Sequence, residues 1–489
     1  MKNTIFSDMK KISAFKILQW VLASLTLGLG FIFFIAFDND KNVFVTQSFL
    51  NKEQNELTLK AALSNESRKM PLYGFNGNNT RGPSFAEKPF LDSVASLQLK
   101  IIRYPGGTSA NWWNWQKGWY VDNPNLPNSF KRMNYSPSGL LELKSLINKT
   151  NCDVVFCLNI TTSTLQDQIA MLKYAQSLNI PVKWVELGNE LNNQKNFDRQ
   201  KFPTVADFGK ICEQWIDAIK VQFPSAKVAV VGGNRNYSDG KNWNDIVLKN
   251  APNADAIVAH LYPKKQDILD DSGINFQKLF EQFVDEFNSQ GFNTINNTSI
   301  WITEYNIQWA HDNENKESES KAYTWSQALA TLLMTSMASS LYPNTPLILN
   351  HNISNTSVFA AIETEKRSLR KLPNGIGMAG WLSASNNMDV LTKINFTDDN
   401  NQTKQDYQLF GWKFTNNKNA SVLFVNLQGS TVKINISNLI HGDASFDTKY
   451  DDKNLIINSA ADVNSKKGTV NNSLIELPAY SFTIIKANQ

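Results

Sequence analysis

The sequence predicts a (β/α)₈ barrel, followed by a smaller β-sandwich and preceded by a transmembrane helix. Three observations carry this. Short apolar runs with the look of buried strands alternate with amphipathic helical stretches through the middle of the chain. Two of those runs, Trp184–Asn192 (W-V-E-L-G-N-E-L-N) and Trp301–Ile307 (W-I-T-E-Y-N-I), end abruptly in carboxylates beside amides and aromatics. Residues 17–37 form one apolar run without a charge. In a barrel of this kind the C-terminal strand ends converge on one mouth, so strands three units apart can aim Glu190 and Glu304 at one pocket.

At 489 residues, with 42% hydrophobic and 11% aromatic residues, the chain has ample material for a large core and an appended unit. The boundaries read from it are 1–40 for a cytoplasmic tail and membrane anchor, 41–68 for a linker or an edge strand of the sandwich, 69–388 for the barrel and 389–489 for the sandwich. The formal charge of +4 is concentrated in Lys2, Lys10, Lys11 and Lys16, so the remainder is nearly neutral and nothing recommends nucleic acid as a partner. The three cysteines, Cys152, Cys157 and Cys212, do not make a disulfide framework. Cys152 and Cys157 lie about 16 Å apart along one extended run, too far to pair, and all three read as buried thiols. Four histidines, no two at metal-ligand spacing, argue against a His-rich metal site, and no cofactor is expected.

The apolar run 17–37 is long enough to cross a hydrocarbon layer of about 30 Å. Lysines precede it and Asp38 and Asp40 follow, which keeps the N-terminus inside and exports the rest. It exceeds the usual signal-peptide core and no A-x-A site follows, so an uncleaved anchor is preferred to a cleaved signal that would release the protein. The patch Leu57–Leu63 alternates and is either linker or strand. The expected barrel strands are Leu72–Phe75, Lys100–Tyr104, Asp153–Leu158, Lys183–Leu187, Lys227–Val231, Ala256–His260, Ser299–Thr303 and Pro346–Leu349. Helices are expected at Leu165–Ser177, Val205–Gln222, Phe276–Ser289, Ser320–Ser340 and Asn374–Ser385. After about Met388 short alternating strands separated by Asn, Asp and Gly follow, at Tyr407–Thr415, Ala420–Leu427, Thr431–Ile436, Leu455–Asn458 and Ser481–Lys486, the pattern of a sandwich.

Paired carboxylates across a sugar are how glycosidic bonds are cut. The two motifs also carry a resemblance. Asn189-Glu190 and Glu304 resemble the fourth- and seventh-strand signatures of the retaining glycoside hydrolases built on (β/α)₈ barrels. Arg103-Tyr104-Pro105-Gly106-Gly107-Thr108 and His260-Leu261-Tyr262 resemble the second- and sixth-strand ends of its arabinofuranosidase-like and heparanase- or β-glucuronidase-like families. The four motifs occur in the family's order across roughly residues 70–390.

The resemblance implies that Glu304 is the nucleophile and Glu190 the general acid and base, protonated before attack and ionised afterwards. It implies that Asn189 bonds the hydroxyl beside the reacting carbon, that Arg103 holds Glu304 ionised, and that Tyr262 and His260 line the same wall. Each has a plainer alternative as a satisfied core or strand-end residue. Glu186, nearer the barrel bottom, is a weaker acid candidate. Trp112 and Trp113, with Trp115 and Trp119, are either platforms for sugar faces or an apolar cluster pinning a long loop. Gly106-Gly107 reads as a tight turn rather than a phosphate cradle.

The resulting expectation is a retaining hydrolase of a poly- or oligosaccharide, arabinofuranosidase-like in its motifs, with a carbohydrate as its partner. The heparanase-like alternative lacks a Gly-Gly pair after Glu304 to hold a uronate. The other rivals are a non-catalytic glycan-binding protein on a decayed barrel and a metal-dependent hydrolase.

Overall fold

The computed structural model describes residues 58–487 apart from 78–79, 81, 132–136, 235–241, 310–319, 356–357, 365–367, 441, 459–461 and 471–472. Eight strands close into a barrel: β1 (Leu72–Asn76), β2 (Ile101–Tyr104), β3 (Asp153–Leu158), β4 (Trp184–Leu187), β5 (Lys227–Val231), β6 (Ala256–Leu261), β7 (Ser299–Tyr305) and β8 (Leu347–Asn350). Each pairs in parallel with the next, and β8 returns to β1 through the register Leu347 to Leu72. Parallel strands are covered on both faces, which is why they read as unbroken apolar runs rather than as alternation. Ile101, Val155, Ala229, Val258, Trp301 and Leu349 fill the barrel interior.

One main helix follows each strand: α1 (Lys88–Ala95), α2 (Leu140–Thr150), α3 (Leu165–Ser177), α4 (Val205–Gln222), α5 (Trp243–Asn250), α6 (Phe276–Ser289), α7 (Trp325–Leu341) and α8 (Pro373–Ala384). Three of their starts follow capping chemistry: the Thr164 side chain accepts from the backbone N–H of Asp167, Thr204 from that of Asp207, and Asn275 from that of Lys278. The helices α1, α2 and α5, absent from the sequence reading, are short at 8, 11 and 8 residues. So short a segment gives periodicity little to act on.

Nine further strands hydrogen-bond as one continuous sheet, in the order Asn464–Thr469, Ala444–Tyr450, Ser481–Ala487, Ala420–Asn426, Leu409–Thr415, Val390–Thr397, Thr58–Lys69, Val432–Asn435 and Leu474–Leu477. The early patch is therefore a strand, but an inner one: it pairs antiparallel with Val390–Thr397 and parallel with Val432–Asn435. The strand expected at Leu455–Asn458 does not form; Ile456 makes a single bridge to Thr324. The sheet buries its own apolar cluster, including Leu59, Ile394, Phe424, Ile434 and Leu477. It is tied to the barrel helices by Trp412 Nε1 donating to Ser336 Oγ at 2.8 Å and Trp325 Nε1 donating to the Tyr480 carbonyl at 2.6 Å.

Cys152, Cys157 and Cys212 are buried free thiols, as expected. The apolar run 17–37 lies outside the described residues. Among the described residues no helix is long and apolar enough to cross a membrane.

Candidate active site

At the C-terminal end of the barrel a cavity of about 320 Å³ opens between Glu190, Glu304, His260, Tyr262, His351 and Asn189, with Gly107, Gln290, Gln308 and Phe359 in its wall. Glu304 sits within β7 and only 3% of it is exposed. Its Oε1 accepts from Arg103 Nη1 at 2.7 Å and Asn76 Nδ2 at 3.0 Å. Its Oε2 accepts from the Tyr262 hydroxyl at 2.5 Å. Burial alone would push this carboxyl up. His260, His351 and Arg103 outweigh that and hold it well below the usual carboxylate range.

Arg103, at the centre of this network, is fully buried. Its Nε and Nη2 donate to the two Glu186 oxygens at 2.8 and 2.5 Å. Nη2 also donates to Asn189 Oδ1 at 2.8 Å, and Nη1 to Asn76 Oδ1 at 3.0 Å. Burial would pull the guanidinium down, but its carboxylate neighbours Glu186 and Glu304 carry it well above its ordinary value. A planar fork of donors suits this five-sided arrangement, which a lysine could not satisfy. Glu186 thus neutralises the arginine from beneath and does not reach the cavity, which removes it as an acid candidate.

Glu190 follows β4 in a left-handed conformation, φ 49°, after Gly188 at φ 86°. A side chain at Gly188 would meet Leu191 and Ile160 at 2.8 and 2.9 Å, so the chain can turn here only with glycine. Asn111 clamps this turn, accepting from Asn189 N at 3.0 Å and donating to the Asn189 carbonyl at 2.9 Å. The Glu190 side chain is one third exposed, 33%, and Oε1 lies 3.0 Å from His260 Nδ1. That nitrogen is also 3.7 Å from Glu304 Oε2, so the His260 ring stands between the two carboxylates. Burial would lower the imidazole's pKa; Glu304 and Glu190 raise it. Its Nε2 meets Thr303 Oγ1 at 3.1 Å. Burial and Glu304 push the Tyr262 phenol well above its ordinary value, so it stays a donor.

One oxygen of Glu190, one of Glu304 and a ring nitrogen of His260 all lie within 4.8 Å of one another. That donor set could hold a divalent ion. Glu190 Oε1 and His260 Nδ1 already meet at 3.0 Å, and Glu304 is engaged by Arg103, Asn76 and Tyr262. The carboxylate separation is the more informative quantity, because retention needs about 5–5.5 Å and inversion about 6.5–9.5 Å.

The six residues expected around the two glutamates divide. Asn189, Arg103, Tyr262 and His260 converge on the carboxylates. Trp113 does not: it is 2% exposed and packs edge-on against Tyr104, with centroids 5.7 Å apart. Trp112 is half-buried and stands outside the cavity wall. Trp115 donates to Asp167 Oδ1 at 3.0 Å, fastening its loop to the start of α3. The pinning role therefore replaces the platform role for Trp113 and Trp115. Gly106 and Gly107, at φ 85° and 61°, are the tight turn expected. Asn76, Asn111 and His351 went unnoticed in the sequence. Asn76 and His351 carry the signal that marked the glutamates, a polar side chain closing an apolar run, in Leu-Tyr-Gly-Phe-Asn and Leu-Ile-Leu-Asn-His.

Fold and site together resemble those of barrel glycoside hydrolases, with paired carboxylates at the ends of strands four and seven. The family model "Glycosyl hydrolase catalytic core" matches residues 158–342, which hold both glutamates. An intracellular exo-α-(1→5)-L-arabinofuranosidase of Acetivibrio thermocellus is 25% identical over 209 residues, covering 38% of this chain and 41% of that one. The match thus spans less than half of that relative. In fold, the chain is similar to a thermostable α-L-arabinofuranosidase from Thermotoga petrophila, with TM-score 0.65 and 16% identity over 88% of this chain and 100% of that one. An arabinofuranosidase from Xanthomonas axonopodis gives 0.66 and 13% at the same coverage. A 4-O-α-L-rhamnosyl-β-D-glucuronidase from Fusarium oxysporum gives 0.56 and 14%, again at that coverage. The resemblance to barrel glycoside hydrolases that four short motifs carried is thus joined by a match to a glycosyl hydrolase core model and by a likeness in fold over 88% of the chain.

Proposed function

We propose that the protein is a retaining glycoside hydrolase that cleaves O-glycosidic bonds of a poly- or oligosaccharide by double displacement, with an α-L-arabinofuranoside as the favoured substrate. The observation that carries this is the pair Glu190 and Glu304 facing one cavity, with one oxygen of each within 4.8 Å of the other. The two carboxylates have unlike surroundings. Arg103, Asn76 and Tyr262 hold Glu304 as an anion, while Glu190 faces the cavity with His260 as its partner.

Glu304 Oε1 takes two donors, Arg103 and Asn76, and Oε2 only the Tyr262 hydroxyl, so Oε2 is the attacking atom. As it bonds to the anomeric carbon, Glu190 gives its proton to the departing oxygen, and a glycosyl ester forms on Glu304. Glu190, now ionised, takes a proton from water, the water attacks the same carbon, and Glu304 leaves as a carboxylate that Arg103 and Tyr262 receive. Asn189 Nδ2 faces the sugar hydroxyl beside the reacting carbon. No cofactor enters these steps.

The choice of a neutral sugar rests on the cavity wall. Among the described residues lining it there is no lysine or arginine, and Arg103 beneath is fully committed. A uronate carboxylate beside two glutamates would go unpaired there, which weighs against the β-glucuronidase-like alternative. The name of the Acetivibrio relative agrees with a pentofuranoside. Two coarser parts complete the proposal. The nine-stranded sheet, curled over its own apolar cluster, serves as an accessory β-sandwich, and residues 17–37 anchor the chain with the barrel outside the cytoplasm.

Separate replacement of the glutamates tests the reading. Glu304→Ala should abolish turnover of every substrate. Glu190→Ala should still react with an activated aryl glycoside, show a burst as the ester accumulates, and regain turnover with azide, giving a glycosyl azide of retained configuration. If Glu190→Ala matches Glu304→Ala and azide rescues neither, the roles are wrongly assigned.

A further inference from the structure

The cavity has two sides. Gly107, Tyr262 and His351 close around Glu304, whereas Asn192, Gly232 and Gln290 belong to the wall that continues from Glu190. Glu190 gives its proton to the departing oxygen, so the leaving group lies against this second wall. Gln290, the residue that follows α6, is only 3% exposed and lines the cavity. Its Nε2 donates to the His260 carbonyl at 2.9 Å and to Glu286 Oε1 at 2.8 Å. Both partners are acceptors, so both amide hydrogens are spent, and a turned-over amide would set oxygen against oxygen. Oε1 is thereby held at the opposite end, and among the described residues no donor reaches it.

The backbone beside it leaves that oxygen uncovered. Gly233 has φ 99°, and a Cβ there would stand 2.5 Å from Gln290 Oε1 and 2.8 Å from Asn192 Nδ2. The Gly233 N–H is taken by Asn244 Oδ1 at 2.8 Å and the Gly232 N–H by the Val258 carbonyl at 3.1 Å, so neither donates to Gln290. Asn192, 8% exposed, spends its Nδ2 on the Gly233 carbonyl at 3.0 Å, and its Oδ1 likewise has no donor among the described residues. Val231 and Val258 add apolar surface to the same wall. Two fixed oxygens beside apolar groups suit a neutral hydroxyl on a sugar ring. They repel a carboxylate or phosphate, and an aryl group gives them nothing to accept.

We propose that Gln290 determines specificity for the leaving group: its Oε1, supported by Asn192 Oδ1 on the same wall, accepts a hydrogen bond from a hydroxyl of the departing sugar. The enzyme thereby favours a neutral sugar as leaving group over an aryl group or an acidic sugar. A leaving group without that hydroxyl leaves a buried oxygen unpaired, which makes such a site more selective than an apolar contact of the same size. The proposal deepens the hydrolase reading and rests on Glu190 as proton donor.

The experiment measures kcat/KM on three probes: α-1,5-linked L-arabinobiose, the same disaccharide with the hydroxyls of its leaving arabinose methylated, and 4-nitrophenyl α-L-arabinofuranoside. The unaltered protein should prefer the free disaccharide to the methylated one by about tenfold or more. In Gln290→Met, which keeps the side-chain length without the acceptor, that preference should fall toward one. Its loss on arabinobiose should exceed its loss on the aryl glycoside by about tenfold or more. A parallel loss on all three probes, the mark of a disturbed His260 carbonyl, overturns the proposal. So do equal rates on the free and methylated disaccharides in the unaltered protein, a result that needs no variant. If the unaltered protein cleaves none of the three, or Glu304→Ala retains activity, it is the functional reading that fails.

Discussion

Replacing Arg103 by Met keeps most of the side-chain volume and removes the charge that two buried carboxylates share. Glu186 is fully buried and Glu304 is 3% exposed, so neither can recover its hydration in place. Stripping one partner from a buried ion pair costs about 3–5 kcal/mol. The unmet acceptors on Asn76 and Asn189 add about 1 kcal/mol each, though not additively. Against a total stability of about 5–15 kcal/mol this is a large share. The loss also has a pH signature. In the native protein the Glu304 carboxyl is held below its ordinary range, so its contribution is present above the unfolded carboxylate pKa and vanishes only as pH falls through the folded one. In Arg103→Met the Glu304 carboxyl keeps its burial without the arginine and is pushed up, so its contribution is present at low pH and lost as pH rises through its folded value. Denaturant unfolding should therefore show a deficit that is smallest near pH 5 and grows toward pH 8, and Glu186→Gln added to Arg103→Met should return part of it. A deficit under about 1 kcal/mol, equal at both pH values, would refute the shared-charge account.

Gly107→Val is expected to spoil catalysis more than folding. A Cβ there stands 3.6 Å from Asn76 Nδ2 and 4.0 Å from Glu304 Oε1, at φ 61°, so kcat should fall by about a hundredfold or more with a modest drop in Tm. Trp113→Ala should cost about 3–5 kcal/mol of stability as a core cavity, whereas Trp112→Ala should leave stability within about 1 kcal/mol, both read by denaturant unfolding. For the N-terminus, the full chain should partition with membranes and a chain beginning near Val43 should be soluble and active. Release of the full-length protein with a new N-terminus after residue 30 would contradict the anchor.

The barrel was legible because each strand announces itself twice, as an apolar run and as the polar residue that closes it. Asp153–Leu158 and Lys227–Val231 form strands over the stretches expected, and α3, α4 and α6 begin and end where their caps and stripes place them. The additional sheet was less legible. Its strands Ala444–Tyr450 and Asn464–Thr469 are largely polar, the latter wholly exposed, so no apolar alternation marks them. Within the site, the glutamates, Arg103 and Tyr262 came from motifs. Trp113 misled because a cluster of aromatics looks the same whether it faces a sugar or a tyrosine. His260 came with its motif, whereas His351 shows the limit of spacing: it follows β8, and only closure of the barrel brings its ring to Glu304.

The division of labour proposed for the two glutamates follows from what the barrel puts beside each. One positive charge, Arg103, lies 2.7 Å from Glu304 and 2.5 Å from Glu186, so a cation that might have neutralised the nucleophile completely is half spent on a carboxylate that never sees substrate. Glu304 is thereby kept ionised without being buried under a full counter-charge, a condition a nucleophile needs, since a carboxylate tied to a private arginine would resist giving up its charge to a carbon. Glu190 sits instead on a turn that only glycine at 188 permits, reaching into the cavity with an imidazole as neighbour and no arginine. On the proposed reading Glu190 serves first as acid and then as base, because esterification removes the negative charge that Glu304 holds across the gap. Glu186, a residue outside the cavity, is on this argument as necessary to the chemistry as the pair that faces it.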